Sequence, residues 1–419
     1  MNIFENSDRI NLDNMKHIRQ KHNIYLDYAA STPTDPNVVS AMNPYWSEHY
    51  GNPSSAHRQG QKAQIAVDNA KLQISDKLGC VPGEIVFTSG ATESNNLAIQ
   101  GVVKKYISNN ASAKTLPHII TTAIEHDSVH ATCEYLEKTA GADVTYIRPD
   151  KDGVIKVSSI KKHIRDETVI VSIAHVQSEF GLVQPIKEIG KMLIRENKTR
   201  ENKIVFHADS AQALNCFNCH VNHTKVDLMS LSGNKIYGPK GIGILYVREG
   251  TEISPLVYGG AQQKSLRPGT MPTPLIVGMG KAVEMISIET RTKILKLKKT
   301  LITNLKNTIP DIKINGPDDP YGDNASPYHA SIYFPSADGI TLMTALDMRG
   351  VSVSYGPACS SGAQKKSKAL KVLGYDDERI TNSIRISLGK YTTKEEIHEA
   401  SKIIFEEYER LKRSYGKIR

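Results

Sequence analysis

Between residues 85 and 231, short β-forming runs alternate with segments of helix length, and this alternation restricts the fold more than any other feature of the chain. The runs are 85–87, 118–120, 144–147, 169–173, 204–206 and 226–231, most of them rich in Ile and Val. Helical spacing fills residues 96–106, 128–138 and 186–194, and an earlier helix is predicted over 61–78 from Ala63, Ile65, Ala66, Ala70 and Leu72. Strands separated in this way form βαβ crossovers, so the chain is predicted to be α/β with a mostly parallel sheet. After Thr270 the pattern changes. One long helix is expected over 275–305, then a loop at 316–327, a strand near 331–334, a helix at 340–347, strands ending at Ser354 and spanning 383–388, and a closing amphipathic helix at 394–411. The expected division is a tail at 1–23, a large domain at 24–285 and a small C-terminal α/β domain at 286–419. Residues 24–50 are expected to pack with the small domain.

The 419 residues are 39% hydrophobic and 23% charged, the balance of a chain that buries a substantial core. No stretch approaches the roughly 18 uncharged apolar residues of a membrane span. Residues 1–23 carry Glu5, Asp8 and Asp13 and lack the apolar block of a leader. Five cysteines, an odd and sparse number, do not form a disulfide framework and suggest a reducing cytoplasm. The formal charge of +9 sits in scattered lysines and in the basic end at 409–419, which reads as a solvated helix terminus. No nucleic-acid module accompanies it, so neither nucleic acid nor membrane is expected as a partner.

The chemistry-bearing residues fall at the ends of the predicted strands. Lys235 follows the run 226–231 and precedes a Gly/Pro-rich turn, where a lysine can form a Schiff base with an aldehyde cofactor. The segment 88–94 (Thr-Ser-Gly-Ala-Thr-Glu-Ser) follows a strand and opens a helix, an arrangement whose N–H groups suit a phosphate or serve an ordinary N-cap. Asp209 ends a strand facing the ligand crevice of an open α/β sheet, where it serves a pyridine nitrogen or caps a helix. His126 can stack on a flat ring. Cys359, among small residues at 355–362, is a candidate nucleophile on an exposed loop. Arg385 can clamp a carboxylate or form a surface ion pair. The segment 216–220 (Cys-Phe-Asn-Cys-His) matches a haem-attachment spacing, but it lacks a second ligand pair and reads as a loop, so no metal is expected.

From residue 25 to about 408 the chain resembles the cysteine desulfurases, class V aminotransferase relatives among the fold-type I pyridoxal 5'-phosphate enzymes. The resemblance rests on residues 25–33, 51–55, 88–94, 122–126, the lysine segment, 267–270, the Ala-Cys-Ser-Ser-Gly loop and 383–389. It implies a fold-type I transferase with a seven-stranded large domain, active as a homodimer of the long-loop group. Lys235 would carry the cofactor and take the substrate's α-proton. Ala91, Thr92, Ser232 and Asn234 would hold the phosphate, joined by Thr270 from across a dimer interface. His126 would stack on the ring and assist proton transfer, Asp209 would pair with its nitrogen and Gln212 with its oxygen. Arg385 would bind the carboxylate of L-cysteine. Cys359 would take the sulfur as a persulfide, leaving L-alanine, and pass it to an acceptor protein for iron–sulfur clusters or thio-modification.

The chain departs from the family pattern at several positions. Gln177 and Ser178 stand where two asparagines are usual, the second of them contacting the cofactor or substrate. Asn234 replaces a histidine, Gln262, Gln263 and Lys264 replace a Glu-Arg pair, and Pro357 stiffens the approach to Cys359. Lysine does not reproduce the fork of arginine, and each lost charge-assisted contact costs about 1.5–3 kcal/mol. These departures keep three alternatives open: a related selenocysteine or cystine lyase, a pathway-specialised desulfurase, and a non-catalytic paralogue that binds sulfur-relay partners.

Overall fold

The computed structural model describes residues 23–110, 115–150, 152–356 and 366–416. Cys359, Pro357 and all but one residue of the expected tail lie outside the described residues. A short strand β1 (Ile24–Tyr25) opens the fold. The main sheet then follows as β2 (Ile85–Thr88), β3 (His118–Thr122), β4 (Asp143–Ile147), β5 (Thr168–Ala174), β6 (Val205–Asp209), β7 (Leu228–Ser232) and β8 (Gly243–Val247). The seven strands lie in the order β2-β8-β7-β6-β5-β3-β4. Every pairing is parallel except those of β8, which runs antiparallel to both β2 and β7. All seven residues of β5 are buried, as a central parallel strand covered on both faces requires. The helix Ala91–Asn109 packs across one face of the sheet through Leu97, Ala98 and Val102, in one core with Val86, Ile119, Ile170, Leu228 and Leu245.

The C-terminal region builds a second sheet from β9 (Lys313–Asn315), β10 (His329–Tyr333) and β12 (Ser383–Ser387), while β11 (Val351–Ser352) pairs with β1. Its core joins Ile24 and Leu26 to Leu301, Leu305, Ile332, Ile386 and Ile404 of the later helices and strands. The opening segment is therefore shared: Ile24 and Leu26 belong to this core, whereas Val38 and Met42 belong to that of the main sheet.

Two sequence expectations need correction. The single helix over 275–305 is in fact two, Thr273–Glu284 and Ile288–Thr308, with Ser287 capping the second through Thr290 N at 3.4 Å. The helix Arg58–Leu78 does form, but Ile65 and Leu72 face solvent, and Ala63, Ala66, Val67, Ala70 and Ile74 form its buried stripe. Small side chains on that stripe permit the close approach of Thr273–Glu284, where a Cβ on Gly280 would lie 2.8 Å from Ala70 Cα.

Candidate active site

A cavity of about 510 Å3 opens where the parallel strands end, and Ala174, Asp209 and Ser232 at the C-terminal ends of β5, β6 and β7 all line it. The sequence-predicted residues Ala91, Thr92, His126, Ser178 and Gln212 also line it, as do Asn234, Lys235 and Arg385. Thr270 is exposed and does not border this cavity. Lys366 and Lys368, a few residues beyond Cys359, do border it, together with Lys240.

Lys235 ends a single 3-10 turn, Gly233–Lys235, that follows β7 directly. Its Nζ donates to the carbonyl oxygens of Ala29 at 2.8 Å and Ala30 at 2.6 Å. The backbone is pinned on both sides: Asn234 O accepts from Thr32 N at 2.8 Å, and Asn215 Nδ2 donates to Lys235 O. The chain's opening segment thus holds the lysine at the cavity wall.

The helix Ala91–Asn109 begins without a side-chain cap, at Gly90 with φ 154°. Its first N–H groups and its positive dipole end are left for an anion. Gly243 lies directly beneath, where an added Cβ would sit 2.6 Å from Gly90 Cα, so two glycines allow this approach. Ser232 Oγ donates to Asn234 Oδ1 at 2.7 Å, which leaves the Asn234 amide presenting its hydrogens as donors. Glu93 steadies the turn by accepting from Ser89 N at 2.6 Å and Arg267 Nε at 3.1 Å.

Asp209 is buried, and both its oxygens are fixed: Oδ1 accepts from Ala211 N at 3.1 Å and Oδ2 from Asn95 Nδ2 at 2.8 Å. His126 caps the helix Asp127–Ala140, its Nδ1 accepting from Ser128 N at 3.1 Å. A neutral imidazole in that arrangement carries its proton on Nε2. Beside it Glu125 is enclosed, with Oε1 accepting from Thr122 Oγ1 at 2.6 Å and Ala174 N at 3.0 Å. Burial, reinforced by the nearby Asp209 charge, pushes the Glu125 carboxyl up to about 8.

Arg385 is only 4% exposed, so it is not a surface ion pair. It donates to Ser178 O at 3.0 Å, Asp27 Oδ1 at 2.8 Å and Ser354 Oγ at 3.0 Å, and its buried Nε has no partner among the described residues. Ser178 thus meets Arg385 through its main chain. Gln177 closes the local turn, accepting from Glu179 N at 2.7 Å and Phe180 N at 3.0 Å. Gln212 Nε2 donates to Ala29 O at 2.9 Å. Gln263 bonds both main-chain groups of Phe87 on the edge strand β2, at 2.6 and 3.0 Å. Cys216 and Cys219 are buried free thiols in the two adjoining cores, and no group of three metal-ligating side chains occurs among the described residues.

Sequence reasoning passed over Asp27 and Asn95. Asp27 lies within the quoted opening 25–33, and Asn95 one residue beyond the segment 88–94.

These residues fit an aldehyde-bearing pyridine phosphate. The uncapped helix start and glycine cradle suit its phosphate, Asp209 is a fixed acceptor for a ring N–H, and Lys235 is an amine at the wall. The chain belongs to the aminotransferase class-V family, whose model matches residues 24–399. Members of that family depend on pyridoxal phosphate, and within it this chain is a cysteine desulfurase of the IscS/NifS kind. It is 43% identical over 385 residues to the mitosomal cysteine desulfurase of Trachipleistophora hominis, covering 90% of this chain and 84% of that one. Its fold matches a NifS-like protein with a TM-score of 0.82 at 34% identity, covering 92% of this chain and 98% of the other. It also matches SspA in complex with cysteine, with a TM-score of 0.76 at 38% identity over 88% and 99% of the two chains.

Proposed function

We propose that the chain transfers the sulfur of L-cysteine to Cys359, releasing L-alanine, and that Cys359 passes it to an acceptor protein for iron–sulfur clusters or thio-modification. The observation that carries this reading is the convergence of Lys235, Asp209, His126 and Arg385 on one cavity. Bound pyridoxal phosphate supplies an electron sink for the carbanion formed at the substrate's Cα. In this reading Ala91, Thr92, Ser232 and Asn234 hold the phosphate, and Thr270 joins them from a second copy. Asp209 would keep a proton on the ring nitrogen, His126 would cover the ring, and Gln212 would serve its oxygen. Lys235 Nζ removes the α-proton and returns it during release. Arg385, at the cavity wall, orients the substrate carboxylate. The Cys359 thiolate attacks the substrate sulfur: an S–S bond forms, the Cβ–S bond breaks and its electron pair stays with the carbon skeleton, which leaves protonated as alanine.

A homodimer is part of this proposal. It is supported by exposed large apolar side chains, among them Trp46, Tyr50, Val257 and Tyr258. A cytoplasmic setting is supported by four described cysteines, all of them free thiols. The test is sulfide and alanine release from L-cysteine by wild type, Lys235→Ala and Cys359→Ala. Both variants are expected to lose sulfide release, and Lys235→Ala alone to lose the covalently held chromophore. Cysteine breakdown that survives Cys359→Ala would make the chain a lyase, and a wild type unable to bind the cofactor would make it a binding paralogue.

A further inference from the structure

Asn95 is completely buried on the helix Ala91–Asn109, one turn in from the uncapped start, and nothing in its local sequence assigns it a task. Both hydrogens of its amide are engaged. One goes to Asp209 Oδ2 at 2.8 Å and the other to Ser128 Oγ at 2.8 Å. Having accepted from Asn95, the Ser128 hydroxyl directs its own proton to His126 Nδ1, 2.8 Å away. We infer that Asn95 is a positioning residue that ties the carboxylate of Asp209 and the imidazole of His126 to a single amide.

The orientation of that amide is unique. Turned over, it would set its carbonyl oxygen against the Asp209 carboxylate and repel it. In the orientation found, Asn95 Oδ1 is buried without a partner among the described residues. Buried acceptors are seldom left in this state, so the fold tolerates a loss at Oδ1 to keep both donors in place. The electrostatic consequence is specific. Asp209 accepts at both oxygens, from Asn95 and from Ala211 N, so its carboxylate cannot rotate without breaking a hydrogen bond. His126 Nδ1 accepts from the Ser128 hydroxyl and from Ser128 N together, which reserves the Nε2 proton of the neutral ring. One side chain therefore couples the carboxylate that would serve a ring nitrogen to the imidazole that would cover the ring.

The inference rests on the proposed reading of the site, and the experiment separates the two. Asn95→Leu keeps the volume and removes both donors, while Ser128→Ala cuts only the branch to His126. Pyridoxal phosphate affinity of each apoprotein is measured by fluorescence titration. The ring nitrogens of His126 are followed by 15N NMR of histidine-labelled apoprotein, assigned with His126→Asn. Expected for Asn95→Leu is an affinity loss of about ten- to a hundredfold, the range of one charge-assisted hydrogen bond, together with shifted His126 signals. Expected for Ser128→Ala are shifted His126 signals with affinity kept within about threefold, a smaller loss than the deleted charge-assisted bond produces. Unchanged affinity and unchanged His126 signals in Asn95→Leu overturn the inference. If Asn95→Leu does not fold, unchanged His126 signals in Ser128→Ala overturn it. Wild type that binds no cofactor instead sinks the functional reading itself.

Discussion

The guanidinium of Arg385 and the carboxylate of Asp27 meet at 2.8 Å, joining the last strand of the small sheet to the opening segment of the chain. Asp27 pairs with Nη2 of Arg385 and so fixes the guanidinium in place by an ion pair with the opening segment. Arg385→Lys removes the planar fork and keeps the charge. The expected result is a KM for L-cysteine raised about ten- to a hundredfold with a smaller fall in kcat, read from steady-state alanine release. Asp27→Ala leaves the guanidinium buried and unpaired, and is expected to lower the unfolding free energy by about 3 kcal/mol in urea titrations.

Gly243 offers a separate test of the anion cradle. A Cβ there would lie 2.6 Å from Gly90 Cα and Gly90 C, which are backbone atoms with no rotamer to yield. Gly243→Ala is expected to destabilise the fold by about 1–3 kcal/mol and to displace Gly90 from beneath the helix start. Weakened binding of pyridoxal phosphate to the refolded apoprotein checks the second effect. Unaltered binding would place the phosphate elsewhere.

Glu125 predicts a pH dependence of stability. Unfolded, its carboxyl titrates near 4.5; folded, burial and then the Asp209 charge raise it to about 8. Between those values the folded state holds the extra proton, so the contribution is complete below about 4.5 and is lost as pH rises through 8. Glu125→Gln keeps an oxygen for Thr122 and Ala174 without titrating. Wild type is expected to lose stability relative to Glu125→Gln on the order of 1 kcal/mol per pH unit across this window, measured by denaturant unfolding at pH 6 and pH 8.

Lys298 gives the opposite sign. It is buried, and its Nζ donates to Pro320 O at 2.6 Å and Ser326 O at 2.9 Å. Burial lowers its ammonium from 10.5 to about 7, against the opposing attraction of Asp319. From about 7 to 10.5 the unfolded state binds more protons, so stability rises with pH over this range and falls as pH drops through 7. Lys298→Met is expected to abolish that slope, and thermal melts from pH 6.5 to 9.5 read it directly.

The parallel strands were legible in sequence because burial on both faces makes them continuous runs of Ile and Val, as in β5. Strand β8 was missed because its glycine-flanked start reads as the end of a turn and its antiparallel course breaks the βαβ rhythm. The junction between the helices Thr273–Glu284 and Ile288–Thr308 contains neither Gly nor Pro, and the apolar Met285 and Ile286 carry the helical pattern across it. Lys235, Asp209 and His126 stood out in sequence because each ends or follows a predicted strand, and all three line the cavity. Asn95 did not, because an asparagine inside a helix gains meaning only from Ser128 and Asp209, which the fold brings to it from other elements.

The oxygens that receive Lys235 Nζ belong to Ala29 and Ala30, and Ala29 N is itself anchored by Ser387 Oγ at 2.9 Å. Ser387 ends the last strand of the small sheet, so the far end of the chain bears, through Ala29, on the oxygens that receive this lysine.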